Sequence, residues 1–184
     1  ADNTMPAYFY ELMRVAPEVL AEYLTLIETG TTLTQAKYIR KMVSTYLNDS
    51  SLSSRGYLPH DKQLPQLVAD ALTQNGSDID ADLLRRYQSL TGALLYCATN
   101  TRPDICYAVG MLCRAMGKPT NDLYRAAEQC LRYLQRTQEI GLRFEASPSP
   151  VAGYSDSDWA VKHSTSGHVF MLNEAAISWG SKKQ

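Results

Sequence analysis

Apolar residues recur at helical spacing through most of the chain, and at strand spacing only near its C-terminal end. Tyr8-Phe9-Tyr10-Glu11-Leu12-Met13 and Val19-Leu20-Ala21-Glu22-Tyr23-Leu24 have helical character, interrupted at Pro17 and closed by a turn at Gly30-Thr31-Thr32. A helix is expected over 35–47 with Thr34 as its N-cap, where Tyr38, Ile39, Met42, Val43, Tyr46 and Leu47 form one broad stripe. Lys37, Arg40 and Lys41 lie beside or opposite that stripe, as a solvated face or as contacts to a nucleic-acid backbone. Residues 48–80 read as a turn-rich connector broken at Pro59 and Pro65, with room for a short helix over 66–74. So long an irregular stretch points to a tether, or to a loop laid over a larger partner.

The strongest helical block follows. Asp80 or Asp82 starts it, and Leu83, Tyr87, Leu90, Leu94 and Cys97 repeat at helical spacing, with Gly92 and Ala93 as a small-residue face. Pro103 suits the first turn of the next helix, 104–116, whose buried positions are Ile105, Ala108, Val109, Leu112 and Met116. Thr120 or Asn121 caps a third helix that runs to about residue 137. Its core stripe is Leu123, Ala127, Cys130, Leu131 and Leu134; Arg125, Gln129, Arg132 and Arg136 line the opposite side. This row is a solvated face eased by Glu128, or a face that tracks phosphates. Arg125, Arg132 and Arg136 are thus the candidate nucleic-acid contacts.

Gly141 marks the exit, Leu142-Arg143-Phe144 reads as a short strand, and Ser147-Pro148-Ser149-Pro150 is a linker. Beyond it the period drops to two. Val151, Gly153, Ser155 and Ser157 fall on one face; Ala152, Tyr154, Asp156 and Asp158 fall on the other. Two acids two residues apart on one strand face repel, so solvent or a bound cation must compensate. A strand end emerging into water satisfies that. So does Mg²⁺, which favours carboxylate oxygens and keeps several waters.

Composition narrows the classes. The chain is 45% hydrophobic and 20% charged, enough for an ordinary core. Its net charge of −1 gives no gross support to nucleic-acid binding, so any such surface must come from local clustering. No apolar run approaches the roughly 20 residues that span a bilayer, and the first twenty positions do not resemble a signal peptide. Cys97, Cys106, Cys113 and Cys130 form no Cys-x-x-Cys pair and have no histidine near them in sequence. Buried free thiols in a reducing compartment are expected, not a zinc site.

Several separated words then carry a resemblance. They are Leu33-Thr34-Gln35-Ala36-Lys37-Tyr38-Ile39-Arg40-Lys41-Met42, Tyr87-Gln88-Ser89-Leu90-Thr91-Gly92-Ala93-Leu94-Leu95-Tyr96, Thr101-Arg102-Pro103-Asp104-Ile105-Cys106-Tyr107-Ala108, Leu131-Arg132-Tyr133-Leu134 and Gly153-Tyr154-Ser155-Asp156-Ser157-Asp158-Trp159-Ala160. Ser164-Thr165-Ser166-Gly167, Ile177-Ser178-Trp179 and Ser181-Lys182-Lys183-Gln184 follow. In this order they resemble the stretch of copia-type retrotransposon Pol polyproteins that runs from the reverse transcriptase thumb through the connection into ribonuclease H. The match covers roughly residues 31–184, poorly near 49–80.

The resemblance implies an α+β chain: a helical thumb/connection segment, then the first antiparallel strands of a truncated ribonuclease H-like fold. Its divisions would be 1–33, a divergent N-terminal segment; 34–80, a thumb-like helix and connector; 81–146, a helical connection; and 147–184, the ribonuclease H strands, at about 151–158, 167–172 and 175–180. Asp156, two residues after Tyr154, matches the family's first metal-binding aspartate and would be catalytic; Asp158 would be an auxiliary metal acid. The cofactor would be Mg²⁺, in a complete site only. The partners would be an RNA–DNA hybrid or template-primer and the remainder of the polymerase/ribonuclease H chain, with no membrane. The setting would be intracellular, in a cytoplasmic virus-like particle or the nucleus.

Both active sites are expected to be incomplete in these 184 residues. The remaining ribonuclease H carboxylates are expected beyond Gln184 and the polymerase palm before residue 31, so no nuclease or polymerase activity is expected of the chain alone. The loop between Ala160 and Ser164 is also shorter than in the family. A helical interaction module without enzymatic function, or a decayed retroelement-derived host protein, is the alternative.

Overall fold

A computed structural model describes residues 30–47, 57–73, 79–145, 149–157 and 165–183. The two expected N-terminal helical segments, Asn75-Gly76, and residues 158–164, which include Asp158, lie outside them.

Five α-helices form the body of the described residues. They are α1 (Ala36–Tyr46), α2 (Leu64–Thr73), α3 (Ala81–Asn100), α4 (Cys106–Arg114, entered through a 3₁₀ turn at Pro103–Ile105) and α5 (Asn121–Arg136). The apolar stripes converge as their spacing demands. Ile39 and Met42 of α1, Tyr87, Leu90, Leu94 and Cys97 of α3, Val109 and Leu112 of α4, and Leu123, Ala127, Cys130, Leu131 and Leu134 of α5 share one core. The Tyr87 hydroxyl, carried into that core by its ring, donates to the Leu112 carbonyl at 2.8 Å. A buried polar tip of this kind must find an acceptor.

Asp80 caps α3 by accepting from the Asp82 and Leu83 amides, and Thr120 caps α5 by accepting from Leu123. Thr34 does not cap α1. Gln35 holds that position and makes no side-chain cap bond; its Oε1 accepts from Thr101 Oγ1 at 2.7 Å, tying α1 to the end of α3. A tertiary partner has displaced a local one.

Within the expected connector, α2 is not a tether. Leu64, Val68 and Ala71 are buried in the common core, and Lys118 Nζ donates to the Leu72 carbonyl near the helix end. The expected turn at 30–32 differs too. Thr31–Leu33 is a strand, β1, paired antiparallel with β2 (Leu142–Phe144), in register Thr32 opposite Arg143. A three-residue strand carries too little periodicity to be read without its partner.

β3 (Ala152–Ser157), β4 (Thr165–Leu172) and β5 (Ala175–Lys183) form an antiparallel meander in that spatial order. Chain and meander together are α+β, mostly helix with small antiparallel sheets. Asn173 and Glu174, at φ 49° and 65°, turn β4 into β5. Two consecutive left-handed residues are the mark of a type I′ hairpin, which suits asparagine better than glutamate. Asn173 is buried because its carbonyl accepts from Glu145 and its side chain from the Ser149 amide. The sheet packs on the helical body through β5. Trp179 Nε1 donates to the Ala98 carbonyl at 2.7 Å, and Ala175, Ala176, Val169 and Trp179 gather around Leu142 and Phe144.

Candidate functional site: an acidic strand and two arginine clusters

Asp156 sits on β3, opposite Gly167 on β4, which in turn faces Ser181 on β5. Successive side chains of a strand alternate, so Tyr154, Asp156, Thr165, Gly167, Val169, Trp179, Ser181 and Lys183 share one side of the sheet. Trp179 reaches the Ala98 carbonyl from that side, so it is the side turned toward the helices. Asp156 itself is exposed, as is Tyr154 at 61%. Its Oδ1 accepts from the Ser157 amide at 2.8 Å. Asp158, expected beside it, lies outside the described residues.

The described residues do not amount to a cation site. No group of three or more His, Cys, Asp or Glu among them could hold a metal ion. A single exposed carboxylate is a poor host for Mg²⁺, which gives up its water shell reluctantly.

The arginine row lies on α5, and its members have different surroundings. Arg125 is exposed and pairs with Asp122 at 3.1 Å. Arg132 is half-buried and, with Arg86 of α3 and Arg125, surrounds Glu128. Burial raises the Glu128 carboxyl above its ordinary range, against the pull of those three arginines. Arg136 lays its guanidinium over the Tyr57 ring at 4.4 Å, and Gln129 donates to the Leu58 carbonyl at 3.4 Å. The segment around Tyr57 therefore covers one flank of the row and leaves Arg125 open.

A second arginine cluster escaped the sequence reading as chemistry. Arg102 is completely buried, yet every limb of its guanidinium has a partner. Nε donates to Asp104 Oδ1 at 3.0 Å, Nη2 to Asp104 Oδ2 at 2.7 Å and Thr137 Oγ1 at 2.6 Å, and Nη1 to the Thr137 carbonyl at 2.9 Å. Tyr133 closes the group, its hydroxyl donating to Asp104 Oδ2 at 2.8 Å and its ring lying 5.5 Å from the guanidinium. Burial works to raise the Asp104 carboxyl, but the Arg102 hydrogen bonds and charge, with Tyr133, hold it below the usual range. These groups bond to one another, so this cluster fixes the start of α4 against the end of α5. The Thr101-Arg102-Pro103-Asp104 word held the signal: an arginine and a carboxylate flanking a helix-starting proline, outside any amphipathic stripe.

Arg114, at the end of α4, is the other residue the sequence reading passed over. Its Nη2 donates to Thr165 Oγ1 on β4 at 3.5 Å, on the same side of the sheet as Asp156. The four thiols are free. Cys97 and Cys130 are buried, Cys106 and Cys113 half-buried. No helix among the described residues is long and apolar enough to cross a membrane.

No family model matches the chain, and no solved structure matches it. Curated proteins do. The chain is 45% identical over 103 residues to "Secreted RxLR effector protein 161" of Plasmopara viticola, across 53% of this chain and 72% of that protein. It is 31% identical over 157 residues to the retrovirus-related Pol polyprotein from transposon TNT 1-94 of Nicotiana tabacum, across 83% of this chain. Against the corresponding polyprotein from transposon RE2 of Arabidopsis thaliana it is 40% identical over 103 residues, across 53% of this chain. The chain spans 12% of the length of the tobacco polyprotein and 7% of the Arabidopsis one.

Proposed function

Because this chain belongs to the copia-type retrotransposon Pol polyprotein family, we propose that it is the segment leading from the reverse transcriptase thumb through the connection into ribonuclease H. Its role in the whole polyprotein would be to hold the template-primer while element RNA is copied, and to present the RNA strand of the hybrid for cleavage. The observation that carries this reading is Asp156, exposed on the first strand of an antiparallel meander that is docked on a helical body. In this reading the meander is the opening of a ribonuclease H-like fold, and α5 offers Arg125 to the nucleic-acid backbone, with Arg132 beside Glu128 and Arg136 over Tyr57 completing the row.

Mg²⁺ would be resident only where further carboxylates of the polyprotein join Asp156, and the chain alone would neither polymerise nor cleave. Asp156 would then contribute one carboxylate to a shared site. Intracellular particles or the nucleus are the matching setting.

The test is binding of the purified chain to a fluorescein-labelled RNA–DNA hybrid at stepped salt. Phosphate contact predicts that log K falls linearly with log salt, steepening by about 0.7–0.9 per phosphate engaged. Binding that is absent or indifferent to salt would end this reading.

Two observations favour a second reading. The helical body closes a core of its own, and the match to the Plasmopara protein spans 72% of that protein. A free-standing helical module of this kind would fold cooperatively and ignore the hybrid.

A further inference from the structure

We infer that Arg114 and Lys183 form a phosphate-holding shelf beside Asp156, on the side of the sheet turned toward the helices, and that its ligand is the backbone of one polynucleotide strand. This rests on the proposed role in hybrid handling and assigns the contact a place that the α5 arginine row does not.

The ladder supplies the geometry. Asp156, Gly167 and Ser181 form one cross-strand row, and Thr165 opposite Lys183 forms the next row on the same face. Asp156 and Thr165 are therefore diagonal neighbours, about 7–8 Å apart. Arg114 comes down on Thr165 from the end of α4, and Lys183 stands opposite Thr165 in the ladder, so both cations flank a residue one diagonal step from the carboxylate.

Gly167 and Ser181 complete the Asp156 row with almost no side chain, so no large side chain of that row separates the carboxylate from the Thr165–Lys183 row. The back of the shelf is α4 packed on β5: a Cβ added at Gly110 would be in ordinary contact with the Ser181 carbonyl oxygen, at 3.7 Å.

Charge and donors point to an anion. A guanidinium has five N–H donors, and the Arg114 bond to Thr165, at 3.5 Å, is at the outer limit for a hydrogen bond. Among the described residues no carboxylate forms an ion pair with Arg114 or Lys183. Among the described residues, two cations stand beside one carboxylate at this end of the sheet. Lys183, Asp156 and Tyr154 are exposed, and the Tyr154 ring lies on the same face, one residue pair along from Asp156. An extended polyanion fits such a shelf, with the sugar edge of its backbone against the Tyr154 ring. A single small anion would leave the aromatic unused.

The experiment compares wild type with Arg114→Gln, Lys183→Gln, Thr165→Val and the surface control Arg85→Gln. Binding to a short fluorescein-labelled RNA–DNA hybrid is followed by anisotropy at stepped salt, with chelator present. Each of the first two variants is expected to weaken binding several-fold and to reduce the salt slope by about one. Arg85→Gln should match wild type. Thr165→Val removes the hydrogen bond to Arg114 and keeps the charge, so it should keep the wild-type slope. If Thr165→Val loses binding as fully as Arg114→Gln, the loss comes from packing and the inference is overturned. Wild-type binding with unchanged slopes in both charge variants also overturns it, and leaves the proposed function standing. A wild-type chain that does not bind the hybrid ends the proposed function and this inference with it.

Discussion

Trp179 donates its indole N–H to the carbonyl of Ala98, 2.7 Å away, and so joins the strand meander to α3, the longest helix among the described residues. The carbonyl is one of the last four of α3, which have no partner inside their own helix. Its neighbour at Cys97 is taken by the Thr101 and Arg102 amides, which leaves Ala98 for the sheet. An orphan acceptor at a helix end thereby fixes where Asp156 is presented.

Trp179→Phe keeps the ring and deletes the donor. The stranded carbonyl should cost about 1–3 kcal/mol. Native-state hydrogen exchange is expected to show the loss first in β3, β4 and β5, with α3 and α5 still protected. Uniform acceleration across helices and strands would mean that the bond does not govern docking.

Asp104→Asn leaves the buried Arg102 guanidinium without its counter-charge. The cost of breaking a buried pair in this way is about 3–5 kcal/mol; Asp104, with its side chain 33% exposed, puts this variant at the lower end. The pH dependence follows from the depressed carboxyl. Its stabilisation is fully present above the unfolded value of 3.8 and is lost as pH falls from there through the folded value. Urea midpoints measured from neutral pH down to acid should therefore converge for wild type and Asp104→Asn. Parallel curves would remove Asp104 from the acid limb.

The helices were legible because each buries a stripe that repeats at helical spacing: Leu83, Tyr87, Leu90, Leu94 and Cys97 can be read without any partner. β1 was not, because Thr31, Thr32 and Leu33 acquire meaning only opposite Leu142, Arg143 and Phe144. The Thr34 cap failed for a similar reason, since Gln35 answers to Thr101, far along the chain. At the candidate site the Asp156 strand was legible from alternation and family words together. Arg114 was not, because its link to Thr165 crosses two elements and leaves no local pattern. Arg102 stood within a recognised word whose physical purpose, a buried clamp, needs Tyr133 and Thr137 to be seen.

Glu174 occupies a left-handed position at φ 65° that costs a non-glycine residue about 1–2 kcal/mol. Glu174→Gly is expected to raise stability by about 1 kcal/mol and to leave hybrid binding unchanged. A lowered thermal midpoint would show that the glutamate side chain contributes more than the turn strain it brings.

Burial pushes the Cys97 thiol up to about 11 and raises that of the fully enclosed Cys130 further. At mildly alkaline pH both should resist alkylation until the protein unfolds, while half-buried Cys106 and Cys113 react slowly. Mass spectrometry of timed iodoacetamide reactions separates the pairs. Early labelling of Cys130 would contradict the closed helical core.

Gly141 leaves no room for a side chain. A Cβ there would collide with the Leu33 carbonyl oxygen, which is backbone and cannot swing away. Gly141→Ala should cost about 1–3 kcal/mol by forcing β1 from β2. Protection of the Thr31–Leu33 amides reports it, and unchanged protection would show that the strands shift without parting.

The measurement that bears most directly on the central claim is RNA cleavage by this segment expressed with the polyprotein sequence that flanks it in its element. Wild type and Asp156→Asn are compared on a labelled RNA–DNA hybrid in Mg²⁺. The account predicts cleavage of the RNA strand by wild type and none by Asp156→Asn, with hybrid binding retained in both. Equal cleavage by the two proteins would contradict it, for then Asp156 is surface and the acidic strand has no part in the chemistry.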